Sequence, residues 1–179
     1  MKIKDKDKYK FTIQTKITPE IYKNFARFDT FILKKRWGFP AFFFLVFAAL
    51  CATLFMKQMN FFAMTSAVIA IAFPVIYFNT FNRIMRDNTG NAPYGAIIDD
   101  YLVTLTDDGV EIYSEEETAE CTWESLRAAY LLYNCIALYI EKDKPFLISQ
   151  FNEPRYEKIW AYICEKAGSK AKDRRSSIC

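Results

Sequence analysis

Histidine is absent from this chain of 179 residues. With it goes the side chain most used for acid–base work near neutral pH and for zinc ligation, so serine–histidine triads and helical two-histidine zinc sites are excluded. Glycine is scarce, five residues in all, and scattered, so no glycine-rich loop cradles a phosphate. Cysteine is also limited to five residues: Cys51, Cys121, Cys135, Cys164 and Cys179. None forms a CxxC pair, and an odd set of scattered thiols reads as reduced, as in a cytoplasmic setting. No catalytic, cofactor-binding or metal-ligating residue emerges. The expectation is a protein that is not an enzyme and needs no cofactor.

Charge is missing from the middle of the chain. Between Arg36 and Arg83 only Lys57 is charged, and it splits two apolar runs. Trp37–Met56 has no charge over 20 residues, which as a helix covers roughly 30 Å, the thickness of a bilayer's hydrocarbon core. Its ten Phe, Leu and Val residues favour insertion by about 3 to 6 kcal/mol together. Met59–Phe81 also carries ten such residues, offset in part by Thr65, Ser66, Asn79 and Thr80, with a kink expected near Pro74. A pair of helices in a soluble core would need a wet face. Neither run has a polar stripe at 3.6-residue spacing. A cleaved signal peptide fits poorly, since 36 residues precede the first run.

The two spans, about 37–56 and 59–82, therefore read as an antiparallel transmembrane hairpin with a minute loop. Lys34, Lys35 and Arg36 abut the first span, and Arg83 and Arg86 follow the second. By the positive-inside rule both chain ends are expected in the cytoplasm, which makes this a multi-pass protein of the cell membrane. Trp37, with Phe39, Tyr77 and Phe81, suits the aromatic belt of the same interface. Lys34, Lys35, Arg36, Trp37, Arg83 and Arg86 are thus the predicted membrane-interface residues. The spans hold no ionisable residue and offer no ion path. Their small residues, Ala48, Ala49, Ala52, Ala63, Ser66, Ala67 and Ala70, leave room for self-association into a homo-oligomer.

The flanks differ in sign. Residues 1–36 carry 11 Lys/Arg against 4 Asp/Glu, residues 87–166 carry 6 against 16, and residues 168–179 carry 4 against 1. An acidic domain repels phosphates, so nucleic acid is not an expected partner. The bilayer and a protein are. The basic opening, MKIKDKDKYK, is either a solvated tail or an adhesive for anionic lipid.

Phe11, Ile13, Thr15 and Ile17 alternate with polar residues as a half-buried strand, expected to pair with strands beyond the hairpin. Thr18-Pro19-Glu20 opens a helix over residues 19–33, with Ile21, Phe25, Phe28 and Ile32 on one face, to lie either in the membrane interface or on a sheet. Asp87-Asn88-Thr89-Gly90 stops the second span, Gly90 suiting a left-handed cap.

From Pro93 the pattern is of short strands: 97–106, 110–114, 118–122, 127–133, 136–141 and 145–149. Asp107-Asp108-Gly109, Glu115-Glu116-Glu117 and Lys142-Asp143-Lys144 form turns between them. Asn152-Glu153-Pro154 opens a last helix with Tyr156, Ile159, Trp160, Ile163 and Ala167 on one face, ended by Gly168. The acidic clusters read as solvated loops rather than paired catalytic carboxylates.

The predicted organisation is a basic arm with a strand and amphipathic helix (1–36), a membrane hairpin (37–86), a cytoplasmic antiparallel sheet closed by a helix (93–168) and a flexible basic tail (169–179). The fold class is an α+β membrane protein. The strand before Thr18-Pro19-Glu20-Ile21-Tyr22, the tight pair of spans, the Leu105-Thr106-Asp107-Asp108-Gly109-Val110 hairpin, Trp123 before an apolar strand and the closing helix together resemble the YcxB-like bacterial membrane proteins. The resemblance implies a C-terminal domain similar to the pleckstrin-homology fold, seven strands capped by a helix, and implies no chemistry. In phosphoinositide-binding relatives of that fold the early hairpin loop carries Lys and Arg. Here it carries Asp107 and Asp108, so that site does not transfer. The expected function is a membrane-anchored, cytoplasm-facing interaction or regulatory module. The alternatives are a membrane-surface enzyme with a Cys or carboxylate site assembled in three dimensions, and an anionic-lipid sensor acting through residues 1–36.

Overall fold

The computed structural model describes residues 9–90, 96–114, 118–140, 145–149 and 155–178. The chain divides into two units, one of residues 1–25 and 92–179, the other of residues 26–91. The turns expected at Glu115-Glu116-Glu117 and Lys142-Asp143-Lys144, the helix start at Asn152-Glu153-Pro154 and the opening residues 1–8 lie outside the described residues.

In the first unit, β1 (Tyr9–Ile17), β2 (Asp99–Thr106), β3 (Gly109–Tyr113) and β4 (Thr118–Thr122) form an antiparallel sheet in chain order. β1 does pair with a strand from beyond the hairpin, with Ile13 opposite Val103 and Thr15 opposite Tyr101. Its period of two works as expected: Thr15 and Ile17 are buried, and Lys10, Thr12 and Gln14 are exposed. A second sheet has the order β7 (Pro145–Ser149), β6 (Cys135–Tyr139), β5 (Ala128–Leu131), β8 (Ala171–Asp173). The single sheet expected from the sequence is thus two sheets of four strands.

The break comes at Trp123. Thr122 and Ser125 hydrogen-bond through a tight turn, with Ser125 N–H donating to Thr122 O at 3.1 Å and Leu126 N–H to the same oxygen at 3.0 Å. The buried Trp123 indole donates to Thr106 O at 3.0 Å, so the chain leaves the first sheet around a pinned ring.

Tyr101 ties the two sheets together. Its hydroxyl donates to Leu147 O at 2.6 Å and accepts from Leu147 N–H at 2.7 Å, and burial pushes its phenol pKa well up. Tyr101→Phe would strand both buried backbone groups of Leu147 and is expected to cost about 1–3 kcal/mol. Urea titration of the full-length protein measures it, and an unchanged midpoint would show that the bridge contributes nothing.

Helix α4 (Tyr156–Ala167) buries the face the sequence specifies, Tyr156, Ile159, Trp160, Ile163 and Ala167, and adds Tyr162. The Tyr162 hydroxyl donates to Thr106 O at 2.9 Å and reaches Asp107 at 3.2 Å. Lys166 meets the same carboxylate at 2.8 Å. The Lys166 ammonium, with Tyr162 next to it, holds Asp107 below its ordinary pKa. The predicted flexible tail contains β8 instead. Gly168 takes φ +56° and turns the chain back, after which Ala171–Asp173 lie parallel to β5 and Arg174 N–H donates to Leu131 O at 2.9 Å.

In the second unit, helix α2 (Gly38–Met56) and helix α3 (Asn60–Asn88) form the expected hairpin. The reversal is made at Gln58, with φ +58°, and Met59 N–H donates to Leu54 O at 3.0 Å. Ala63, Ser66 and Ala70 form the buried seam of α3, a small-residue surface that lets the helices close up. Phe43 stacks on Phe73 with ring centroids 4.4 Å apart. The assigned helix continues through Pro74.

The predicted helix 19–33 is two pieces. α1 spans Pro19–Arg27, and Phe28–Leu33 is π-helical, with Lys34 N–H donating to Asp29 O at 2.9 Å. The wider turn shifts the apolar face. Ile32 is left 39% exposed, and Phe31 instead meets Phe78 and Phe81 at 5.6 and 4.8 Å. At the start of this segment, within the first unit, Ile21 and Phe25 are buried, and the Phe25 ring lies 6.3 Å from that of Tyr139.

Candidate functional site

The predicted interface residues gather at one end of the hairpin, where α2 begins and α3 ends. Trp37 is the N-cap of α2 and 56% exposed. The Tyr77 hydroxyl of α3 donates to Arg36 O at 3.4 Å, fastening the approach to α2 against its neighbour. Lys34 is paired with Asp29 at 2.7 Å, and Lys35 takes φ +50°. Lys35, Arg36, Arg83 and Arg86 are exposed and form no ion pair among the described residues. Arg36 lies just before α2, and Arg83 and Arg86 lie in the last two turns of α3.

Away from this end the hairpin presents apolar side chains outward. Phe42, Leu45, Phe55, Phe61, Met64 and Val68 are all more than half exposed. Only 6% and 17% of the most apolar 18-residue windows of α2 and α3 are buried. Both helices are long and apolar enough to cross a membrane.

The four described thiols sit in separate elements, α2, β4, β6 and α4. Cys135 is completely buried, and burial pushes its thiol up to about 12. Burial also raises Cys164. Cys121 is buried, with its sulfur 3.3 Å from Ser125 Oγ. At neutral pH the Cys135 thiol is protonated and a poor nucleophile. Cys51 lies in α2, and Cys179 is outside the described residues. Among the described residues no three His, Cys, Asp or Glu side chains converge as a metal site. Asp107 is engaged by Lys166 and Tyr162 rather than poised as a base.

A cleft in the first unit was not anticipated from the sequence. β1 ends one sheet and β7 ends the other, and the two do not pair as a continuous ladder. Lys16 N–H donates instead to the Ser149 hydroxyl at 3.2 Å. Along this seam runs a cavity of about 600 Å³ lined by β1 residues 10–14 and Lys16, with Ile97, Ser149, Arg155 and Ile159. Consecutive residues of a strand point to opposite faces. A cavity touching five in a row, Lys10, Phe11, Thr12, Ile13 and Gln14, therefore follows the strand's edge.

Three cations and no carboxylate contribute to this lining among the described residues. Lys10 is shared with Asp107 at 3.5 Å and lies 5.1 Å over the Tyr162 ring. Lys16 and Arg155 have no ion pair among the described residues. The outward alternation of Lys10 and Lys16 was visible in the sequence; their meeting with Arg155 and Ile159 was not. None of the cysteines contributes to the lining among the described residues.

The fold and these two sites define an α+β chain in which a hairpin of two membrane-length apolar helices interrupts a unit of two four-stranded sheets and a helix. Comparison with protein-family models, with curated proteins and with solved structures finds no match for it.

Proposed function

We propose that this protein is a membrane-anchored binding module: the α2–α3 hairpin spans the cell membrane, both chain ends lie in the cytoplasm, and the sheet unit binds a protein partner or regulates a membrane process there. The single observation that carries the anchor is the outward display of bulky apolar side chains along both helices, a surface that water penalises by about 25 cal/mol per Å². α2, 19 residues long, covers about 28 Å, and α3, 29 residues long, about 43 Å. The excess of α3 over a core of about 30 Å carries Asn79, Asn82, Arg83 and Arg86 into the headgroups, beside Lys34, Lys35, Arg36 and Trp37.

That clustering supports the cytoplasmic assignment of the basic end. A binding role is supported by what the cleft offers, hydrogen-bonding and cationic groups beside apolar side chains. The order of elements supports a unit similar to the pleckstrin-homology-like domain of YcxB-like proteins. Reporters active on only one side of the membrane, fused to each end of the intact chain, test the topology. Both are expected to report the cytoplasm, and opposite readings would overturn the hairpin.

A further inference from the structure

The seam between β1 and β7 combines two features seldom put together without a ligand in view. One is a pair of cations, Lys16 half-buried and Arg155 exposed, neither in an ion pair among the described residues, with Asp100 opposite Lys16 in the β1–β2 register. Lys16 belongs to the basic residues 1–36, whereas Arg155 is one of 6 basic residues against 16 acidic ones in residues 87–166. The other is an apolar wall. Phe11 and Ile13 are half-buried, Ile159 is buried and Ile97 remains 49% exposed. Thr12, Gln14 and Ser149 add hydroxyl and amide groups to the lining, the Gln14 amide also donating to Asp100 at 3.3 Å. The volume, about 600 Å³, falls in the range of roughly 300–1,000 Å³ that small-molecule sites occupy.

We propose that this cleft binds a small amphipathic anion, a carboxylate or phosphate carried on a short apolar chain. Lys16 and Arg155 hold the headgroup, and Phe11, Ile13, Ile97 and Ile159 surround the chain. A guanidinium and an ammonium lining one cleft fit a two-oxygen anion, since charge-assisted hydrogen bonds are about twice as strong as neutral ones. An inorganic anion alone would leave the apolar wall uncovered. Addition of a peptide strand along β1 is disfavoured because the Lys16 N–H that would head such a ladder is already taken by Ser149. The proposal rests on the reading of the sheet unit as a binding module and is indifferent to the direction in which the hairpin is inserted.

The test uses the full-length protein in nanodiscs of neutral lipid and a diazirine-bearing octanoate, with photo-adducts mapped by peptide mass spectrometry. Adducts are expected on residues 10–16 and 155–159, competed by octanoate or octyl phosphate, with the stronger competitor assigning the headgroup. The Lys16→Gln, Arg155→Gln double variant is expected to require about tenfold more probe for the same labelling. A Lys23→Gln, Arg27→Gln variant, which removes two exposed cations elsewhere, is expected to label normally, and far-UV circular dichroism confirms that each variant is folded. Adducts confined to α2 and α3, labelling unchanged in the double variant, or competition by acetate as strong as by octanoate would each overturn the proposal. So would competition by an acidic hexapeptide and not by octanoate. None of these results bears on the topology reporters, so failure here is separable from failure of the anchor.

Discussion

A chain carrying Leu45→Lys and Val46→Lys together is expected to lose its first span from the membrane, so that α3 alone remains inserted and reporters at the two chain ends read opposite sides, or the chain is degraded. Both positions lie near the middle of α2 and both side chains point outward, 65% and 46% exposed. In the bilayer each central lysine costs about 2.5 to 3.5 kcal/mol, and each lost Leu or Val forfeits a further 0.3 to 0.6 or so. The pair therefore removes roughly 5.5 to 8 kcal/mol, against the 3 to 6 or so that favours insertion of the whole segment. If the same face met water, two exposed lysines would change stability by no more than about 0.5 kcal/mol. The experiment thus separates the environments by an order of magnitude. An undegraded double variant whose two end reporters both still read the cytoplasm would sink the reading of α2 as a membrane span.

The second large effect concerns the sheet unit. Every residue of β6 is buried, and Leu138 is among the largest side chains that are fully so. Leu138→Ala removes three carbons from a site with no route to solvent and is expected to cost about 2–5 kcal/mol, a large part of the 5–15 or so that holds a domain folded. Urea titration followed by tryptophan emission from Trp123 and Trp160 reads it as a lower midpoint. Tyr133→Ala, at a position 73% exposed, is the control and is expected to shift the midpoint little. Equal midpoints for the two variants would mean that β6 is not the centre of the core.

How much of this was legible beforehand follows from the range of the forces involved. The stripe of α4 was read residue by residue, because a helix's buried face depends only on spacing along one short segment. The stops at Gly90 and Gly168 were equally local; Gly90 takes the positive φ expected of it, 59°, and Gly168 takes φ 56°. Ile32 was assigned to the wrong face because the period assumed was that of an α-helix, and the backbone there winds as a π-helix. β8 was missed because three residues are too few to show alternation and because its partner, β5, is reached only after α4 has folded back. The two-sheet arrangement was missed because nothing in the strand pattern marks where one ladder ends; the Thr122–Ser125 turn does that, with Trp123 held to Thr106 O.

By itself the amino-acid order determined the hairpin, the sign of the charge at its end and the faces of its regular elements. Each of these is a sum over neighbours along the chain, of transfer free energies or of side chains at a fixed repeat. Tertiary structure alone decided that β1 and β7 end separate sheets, that Tyr101 bridges them, and that Lys16 and Arg155 flank one cleft with an apolar wall. Those outcomes depend on which distant strand edges and side chains meet once the core is filled, and no local repeat encodes that choice.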